Sequence, residues 1–306
     1  LVSEVRNKVL EDAKAAGLSL GERLEDGGVG AEAYADAVAT YLALGVSRTA
    51  DYSSSLCSWN NARDTIRNVF ARQAIPMVWD YVESNIFSSS SGNFLGQVEW
   101  GAKAIVKVSA TRLSEVKQVS ALSREYSQLA ISTDPPYYDN IGYSDLSDFF
   151  YIWLRRSLIG IQPLIVGTML SPKSEELVAN PYRHDGKQGA EKFFVDGFNS
   201  VFHRICESDV NAEVPMTVYY AYKQQDSGKD GTSSTGWHTL LDGLIHAGWE
   251  VTATWPMRSE RNGRMLSVST NALASSIVLA CRPRPESAPT VMRRAFTSAL
   301  KSELPG

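Results

Sequence analysis

Apolar residues recur at helical spacing in the first quarter of the chain. Residues 2–17 carry an apolar position at every third or fourth place, which predicts a helix that ends at Gly17. The same spacing returns over residues 31–44, with Tyr34, Val38, Tyr41 and Leu42 on one face. A third helix is expected from about residue 62, kinked or broken at Pro76, with an apolar stripe formed by Ile66, Val69, Phe70, Ala74 and Met77.

The rest of the chain alternates short apolar runs with longer amphipathic stretches. Five β-strands are expected, at residues 104–108, 129–133, 216–222, 249–255 and 275–281, with the last two paired as a hairpin. Helices are expected at residues 113–128, 146–158, 191–206 and 237–247, and a short one in the Pro-, Ser- and Ala-rich tail beyond Arg282. Strands that alternate with helices are typical of the α/β class.

Two segments are predicted to be connectors. Residues 18–30 are polar and glycine-rich, and no strand precedes them. Gly27 to Gly30 is therefore interpreted as part of a flexible connector rather than as a phosphate-binding loop. Residues 88–92 are mostly serine and are expected to form a loop.

Composition excludes several classes of protein. The chain has 306 residues, 43% of them hydrophobic and 21% charged, which suits one large globular domain or two small ones. No apolar run approaches the roughly 18 residues of a membrane span and no signal peptide is visible, so no membrane partner is expected. The first residue is Leu1 rather than Met, which suggests a fragment or a processed product.

Charge and cysteine content narrow the expected setting. The net charge of −4 gives no global basic surface, so any contact with DNA must come from a local patch. Cys57, Cys206 and Cys281 are isolated from one another, which favours neither a disulfide framework nor a zinc site. We therefore expect a reducing, cytoplasmic environment and no bound metal.

The strongest chemical signal follows the strand predicted at residues 129–133. Asp134, Pro135, Pro136 and Tyr137 form a stiff segment, since each proline fixes its own φ and lacks an N–H. The Asp134 carboxylate and the Pro135 carbonyl could accept both hydrogens of an exocyclic amino group. Tyr137 could stack on the base that carries this group, once the base is flipped out of its duplex. The structural alternative is a proline-terminated turn with an ordinary Asp.

These residues carry a resemblance to a known family. Asp-Pro-Pro-Tyr resembles the catalytic motif of amino-methyltransferases that use S-adenosylmethionine. The longer run over residues 134–156, DPPYYDNIGYSDLSDFFYIWLRR, resembles the large adenine-specific DNA methylases that contain a zinc-ribbon insertion. Residues 72–80, RQAIPMVWD, resemble a second segment of that family. The similarity extends from about Tyr34 to Arg282 and covers only the family's C-terminal half, without its glycine-rich cofactor loop.

The resemblance implies a fold and an activity. The fold would be a Rossmann-like, three-layer methyltransferase sheet, incomplete at its N-terminal strands. A helical extension would occupy residues 1–95, the catalytic domain residues 96–285 and a tail residues 286–306. The activity would be transfer of a methyl group from S-adenosylmethionine to the amino group of adenine in DNA. A bacterial modification (restriction-modification) or defence system, with partner subunits, is the implied setting.

The resemblance also implies roles for particular residues. Asp134, Pro135, Pro136 and Tyr137 would form the catalytic motif, with Tyr138, Asn140 and Tyr143 near the substrate base. Cofactor contacts are expected from Asp134 and from two hydroxyl residues after the strand predicted at 104–108, Ser109 and Thr111. These two could instead cap a strand-to-helix turn. Asn140, Tyr143, Ser144 and Asp145 could equally be loop and N-cap residues of the following helix.

Several polar and aromatic segments leave two interpretations open. Phe149, Phe150, Tyr151 and Trp153 are expected in the core rather than on a stacking surface. Residues 171–189 form a long basic loop that could face DNA, with Lys173, Arg183, His184 and Lys187. A second candidate for contact with the DNA backbone contains Arg258, Arg261 and Arg264. Arg63, Arg67 and Arg72 are expected on a solvated face, with contact to phosphate as the alternative.

Alternative functions also remain open. The same motif could serve an amino-methyltransferase that acts on cytosine, RNA or protein. It could also be the relic motif of a non-catalytic nucleic-acid-binding module. Because the glycine-rich cofactor loop is absent from the sequence, we expect this chain alone to be inactive or weakly active without upstream residues.

Overall fold

A computed structural model describes residues 1–71, 74–108, 114–138, 142–208, 210, 213–221, 235–257 and 276–303. The chain forms two compact units. The first unit comprises Leu1–Gln118 and Ile141–Glu176, and the second comprises Val119–Asn140 and Leu177–Gly306. The described residues are mixed α/β, with a two-stranded and a four-stranded sheet. The three-part domain division expected from the sequence stays a prediction.

The first unit is mainly helical. Its elements are α1 (Val2–Ala15), a short 3-10 helix (Leu24–Asp26), α2 (Ala31–Ala50), β1 (Ser58–Asn60), β2 (Thr65–Arg67), α3 (Phe94–Lys107), α4 (Tyr143–Leu158) and α5 (Pro163–Val166). The second unit contains β3 (Ser132–Thr133), α6 (Gly186–Glu207), β4 (Met216–Ala221), α7 (Thr235–His246), β5 (Trp249–Met257), β6 (Ser276–Pro283) and α8 (Arg293–Glu303).

Small side chains let the helices of the first unit approach one another. Helix α2 buries a row of alanines, and Ala39 and Ala43 pack with Val2, Leu158, Ile161 and Val166 in one apolar cluster. Alanine loses no side-chain entropy on burial, which favours both the helix and the close packing. This cluster brings α1, α4 and α5 against α2.

A buried carboxylate connects three segments of the first unit. Asp36 on α2 is fully buried. Its Oδ1 lies 2.6 Å from Nε of Arg6 on α1, and its Oδ2 lies 3.6 Å from Nε of Arg23. The backbone N–H of Leu24 also donates to Oδ2, at 3.2 Å. Asp36 therefore joins α1, α2 and the 3-10 helix through a charge that has no access to water.

The second unit is built on the four-stranded sheet, with strand order β3-β4-β6-β5. Strand β3 pairs parallel with β4, whereas β6 pairs antiparallel with both β4 and β5. Helices α6 and α7 cover one face of this sheet. Helix α6 buries a residue at nearly every fourth position, and these side chains share a core cluster with residues of α7, β4 and β6: Ala190, Phe194, Phe198, Phe202, Ile205, Leu240, Leu244, Val218 and Leu279.

Most of the long predicted elements are confirmed. Helices occur over the regions expected at residues 2–17, 31–44, 146–158, 191–206 and 237–247, with ends that shift by a few residues. The strands expected at 216–222, 249–255 and 275–281 are present, and the last two form the expected antiparallel hairpin. The tail contains the short helix α8.

The helix expected from residue 62 was wrong. Strands β1 and β2 form an antiparallel hairpin there, with Trp59 opposite Ile66. The side chain of Asn60 accepts the N–H of Ala62, and Asp64 adopts a left-handed φ of 47°. Side-chain bonds of this kind to the local backbone favour a turn over a helix, and the β-branched Thr65 and Ile66 suit the strand that follows.

Two further elements were assigned wrongly. Residues 104–107 belong to the end of α3 rather than to a strand. Helix α3 begins where the Asn93 side chain accepts the N–H of Gly96 at 2.7 Å, and this N-cap sets its start ten residues earlier than the apolar run. The helix expected at 113–128 is absent from its described residues, 114–128, where Ser120 instead accepts bonds from Leu122 and Ser123 in a local turn.

Some expectations lie outside the described residues. These include Ser109, Thr111 and Asn140 and the arginines at 72, 258, 261 and 264. Within the described part of the chain, no helix is long and apolar enough to cross a membrane.

The Asp36 ion pairs give a stability prediction for the first unit. We expect Asp36→Ala to lower the free energy of unfolding by about 1 to 3 kcal/mol, because Arg6 and the Leu24 N–H lose a buried acceptor. Arg6 keeps its pair with Glu32, and Arg23 keeps its pair with Glu25. Chemical denaturation followed by circular dichroism measures the change. Asp12→Ala is the matched control, since its pair with Lys8 is exposed and its loss should leave the free energy of unfolding almost unchanged. Equal effects of the two substitutions would contradict this account.

Candidate functional site

The Asp-Pro-Pro-Tyr motif begins where β3 ends. Ser132 and Thr133 of β3 are paired with Thr217 and Val218 of β4, and the N–H of Thr217 also donates to the Ile131 carbonyl at 2.9 Å. Strands β3 and β4 run parallel, so residues 134–137 leave the sheet at the edge where β4 also ends. In open α/β sheets, ligands bind outside the carboxyl ends of parallel strands.

Residues 134–137, here called the motif corner, combine exposure with local order. Asp134 is exposed, and Pro135, Pro136 and Tyr137 are half-buried. The Tyr137 hydroxyl donates to Oδ1 of Asp134 at 2.9 Å. An ionised carboxylate has about four acceptor positions, so Asp134 can hold this hydroxyl and still accept from a ligand. The motif corner therefore presents an accessible acceptor rather than a group sealed in the core.

The two adjacent tyrosines of the motif have different surroundings. The Tyr137 ring meets the Tyr220 ring edge to face, with centroids 5.1 Å apart and planes at 89°. The Tyr138 ring meets the buried Phe194 of α6 at 5.2 Å and 84°. The Tyr138 carbonyl also accepts the N–H of Ala179 at 2.8 Å. Tyr138, predicted to lie near the substrate, thus contributes to the attachment of the motif corner to α6.

Residues at the end of β4 and the start of α7 complete the surroundings of the motif corner. Tyr220 of β4 is only 4% exposed. Its ring lies 5.9 Å from that of Trp237 on α7. A Cβ added to Gly236 would lie 2.8 Å from the Tyr220 hydroxyl oxygen and 3.2 Å from Cβ of Tyr138. The start of α7 therefore approaches the motif corner closely, at a position where glycine leaves room.

Sequence reasoning missed Tyr220 and Trp237 as members of this site. Both were assigned only to a strand or a helix. One signal for Tyr220 was available, because an aromatic residue at the carboxyl end of a strand parallel to the motif strand reaches the same sheet edge. Nothing comparable pointed to Trp237, whose place depends on how α7 packs.

Tyr143, the other described substrate candidate, belongs to the first unit. It is the first residue of α4 and is 52% exposed. The next residue, Ser144, donates through its backbone N–H and its hydroxyl to the two oxygens of Glu176, at 2.9 and 2.5 Å. Ser144 thereby takes part in ordering the start of α4, which favours the interpretation of this segment as helix-start chemistry.

The aromatic residues of α4 from Phe149 to Trp153 were all expected in the core, and Trp153 departs from this expectation. Phe149 and Phe150 both contact Phe70, with ring centroids 5.3 and 5.1 Å away. Tyr151 packs against the apolar cluster of the first unit. Trp153, in contrast, is 42% exposed. The two phenylalanines therefore have packing roles.

Part of the basic segment at residues 171–189 is engaged within the protein. Nζ of Lys173 lies 2.5 Å from Oδ2 of Asp148 on α4, and Ser171 donates to Oδ1 of the same carboxylate. The His184 ring stacks on Phe193 at 3.8 Å. Lys187 lies on α6 and is exposed. Lys173 thus has a carboxylate partner, so it is a weaker candidate for contact with DNA than Lys187.

Cysteine and metal chemistry find no support in the described residues. All three cysteines are free. Burial raises the pKa of Cys281 to about 12, so this thiol is protonated and unreactive at neutral pH. Among the described side chains, no group of three or more His, Cys, Asp or Glu could hold a metal ion.

The described residues do not fit a complete S-adenosylmethionine site. Of the predicted cofactor residues, only Asp134 is described. The strand that was expected to place Ser109 and Thr111 is the end of α3. Strand β3, which ends just before Asp134, is followed by prolines. A strand that contributes to a nucleotide site is typically followed by a glycine-rich turn instead. The described part of the chain therefore contains the residues expected to hold the amino group, in the motif corner, but not a complete cofactor site.

Comparison with known proteins gives no match: no protein-family model, no curated protein and no solved structure matches this chain. The motif corner and the fold around it are therefore the features from which a function can be inferred.

The Asp148–Lys173 pair gives a pH prediction. Burial would raise the pKa of Asp148, but the bonds from Lys173 and Ser171 outweigh burial and lower it. A carboxylate with a lowered folded-state pKa contributes stability above its unfolded pKa, near 3.9, and loses it as the pH falls through the folded value. We expect Asp148→Asn to cost roughly 1 to 2 kcal/mol at pH 7 and to flatten the loss of stability below about pH 5.

Urea unfolding between pH 7 and pH 3 measures this dependence. Asp12→Asn, in the exposed pair with Lys8, is the control and should leave the pH profile almost unchanged. A profile of Asp148→Asn that parallels the wild-type profile would show that the Lys173 pair does not stabilise the fold.

Proposed function

We propose that this protein takes part in the transfer of a methyl group from S-adenosylmethionine to the exocyclic amino group of adenine in DNA. One observation carries the proposal: the exposed carboxylate of Asp134 follows a parallel strand and is held beside two prolines and an aromatic ring. Pro135 and Pro136 have no backbone N–H, so they add no donor beside the acceptors that would hold an amino group.

Asp134 and Pro135 would orient the amine. Asp134 keeps acceptor capacity beyond its bond to Tyr137, and Pro135 adds a backbone carbonyl. Two acceptors that hold the two amino hydrogens turn the nitrogen lone pair out of conjugation with the ring. The nitrogen then becomes a better nucleophile, and orientation of this kind supplies much of the rate in reactions between bound partners.

Pro136 and Tyr137 would shape the base pocket. Both are half-buried beside the accessible carboxylate. An aromatic face can stack on any base at roughly 1 to 3 kcal/mol per base, which offsets part of the cost of flipping it from the duplex. The base would therefore be held by stacking and its amine by hydrogen bonds.

The fold supports the same proposal at a coarser level. The second unit has parallel strands β3 and β4, a crossover through α6 and a final hairpin, as expected for the C-terminal part of a methyltransferase-type sheet. A complete three-layer Rossmann-like sheet, a bacterial modification or defence setting with partner subunits and a cytoplasmic location belong to the proposal. Among the described residues, Asp134 would contact the methyl donor.

Removal of the carboxylate tests the catalytic role. We expect Asp134→Ala to lower DNA methylation at least a hundredfold, because the amine loses its principal acceptor. Methyl incorporation into oligonucleotides is measured with the protein as it is encoded, including any residues before Leu1 or after Gly306. Asp196→Ala, in an exposed pair with Lys192 on α6, is the matched control and should retain full activity.

A panel of oligonucleotides identifies the substrate in the same assay. Methylation that disappears only when adenines are replaced supports the proposal. Methylation that depends on cytosine, or that occurs on RNA, would show that the enzyme acts on another amino substrate. Unchanged methylation by Asp134→Ala would remove the catalytic role and leave a nucleic-acid-binding module.

Cofactor binding by the 306-residue chain is a separate prediction. We expect isothermal titration calorimetry with S-adenosylmethionine to give weak binding or none, since the described residues lack a nucleotide-binding turn. The comparison is the same titration of the protein as it is encoded, including any residues before Leu1. Tight binding by the 306-residue chain alone would show that the cofactor half of the site is already present.

A further inference from the structure

Three aromatic side chains connect the motif corner to the interior of the second unit. Tyr137 meets Tyr220 edge to face at 5.1 Å, and Tyr220 lies 5.9 Å from Trp237. Exposure falls from the half-buried Tyr137 to the 4% exposed Tyr220. The buried middle ring belongs to β4, the strand that pairs with β3.

The contact with Tyr220 restrains both the orientation of the Tyr137 ring and the position of the Tyr137 hydroxyl. Edge-to-face aromatic pairs have a preferred relative orientation, and the observed angle of 89° is close to perpendicular. The hydroxyl oxygen of Tyr137 lies in the plane of its ring, so the ring orientation decides where this hydroxyl reaches. Here it reaches Oδ1 of Asp134 at 2.9 Å. The orientation of the carboxylate is thereby coupled to a residue on another strand.

We propose that Tyr220 is a positioning residue of this site, which sets the Tyr137 ring and, through the Tyr137 hydroxyl, the Asp134 carboxylate. The inference rests on the proposed function and deepens it. Tyr220 touches neither base nor donor in this account. It keeps one oxygen of Asp134 occupied by Tyr137, which leaves the other oriented for the amino group.

The surroundings of Tyr220 explain why its ring is well placed for this role. Tyr220 belongs to the same core cluster as Val218 and Leu279, which are fully or almost fully buried, and it is paired with Ile277 of β6. Gly236 of α7 approaches its hydroxyl so closely that a Cβ would lie 2.8 Å away. The Tyr220 ring is therefore confined on the side of the helix as well as on the side of the sheet.

The first test observes Tyr137 directly, without a ligand. Protein labelled with ¹³C at the tyrosine Cζ atom is examined by NMR, and Tyr137→Phe assigns the Tyr137 signal. In Tyr220→Leu we expect this signal to move to the value of a tyrosine in water, because the Tyr137–Asp134 bond is lost. Tyr220→Phe keeps the ring and should retain the wild-type shift.

Phe202→Leu is the matched control for a lost core ring. Phe202 is 2% exposed on α6 and contacts Phe198 rather than Tyr137. It should destabilise the fold without moving the Tyr137 signal. An unmoved Tyr137 signal in folded Tyr220→Leu, or an equal movement in Phe202→Leu, would overturn the proposal. If Tyr220→Leu does not fold, Tyr220→Val and Tyr220→Met provide the same comparison.

The second test uses methylation kinetics of the encoded protein. We expect Tyr220→Leu to lower kcat about ten- to a hundredfold with little change in KM, and Tyr220→Phe to restore it. Equal kcat values for Tyr220→Leu and wild type would overturn the positioning role. Absence of methylation by the wild type would instead count against the proposed function, while the NMR comparison would still decide whether Tyr220 orients the motif corner.

Discussion

Two consecutive prolines determine where the functional part of the second unit begins. Pro135 and Pro136 have no N–H to donate, so the ladder between β3 and β4 cannot continue past Thr133. The chain must leave the sheet at that point, and Asp134 is the residue at which it leaves. The exposure of its carboxylate, the position of Tyr137 beside it and the approach of Tyr220 all follow from this early end of the strand.

The sequence predicted the elements whose pattern is long and self-consistent. Helix α6 has Phe194, Phe198 and Phe202 at intervals of four residues, and this spacing is typical of a helix with one buried face. The hairpin of β5 and β6 was likewise visible as two apolar runs. The wrong predictions concern segments in which a hydrogen bond between a side chain and the nearby backbone determines the secondary structure. The Asn60 side chain accepts a backbone N–H in a hairpin turn, where an apolar stripe had predicted a helix. The Asn93 side chain caps the start of α3 well before residues 104–108, which had been predicted to form a strand.

The candidate site was predictable in its chemistry but not in its surroundings. Asp134, the prolines and Tyr137 are contiguous, so their spacing alone defines the motif. Tyr220 is 83 positions from Tyr137 in the chain, and only the pairing of β3 with β4 brings the two together. The different partners of the Tyr137 and Tyr138 rings could not be predicted either, because each partner belongs to a different element.

The order of strands in the second sheet has a consequence for biosynthesis. Strand β6 lies between β4 and β5, yet it is the last of the three to be made. Until the chain has been synthesised as far as Pro283, the end of β6, strands β4 and β5 each lack a neighbour on the side where β6 will insert. Each then exposes a row of unpaired backbone groups, which can pair with another chain. A nascent chain is thus most open to mispairing just before its central strand emerges.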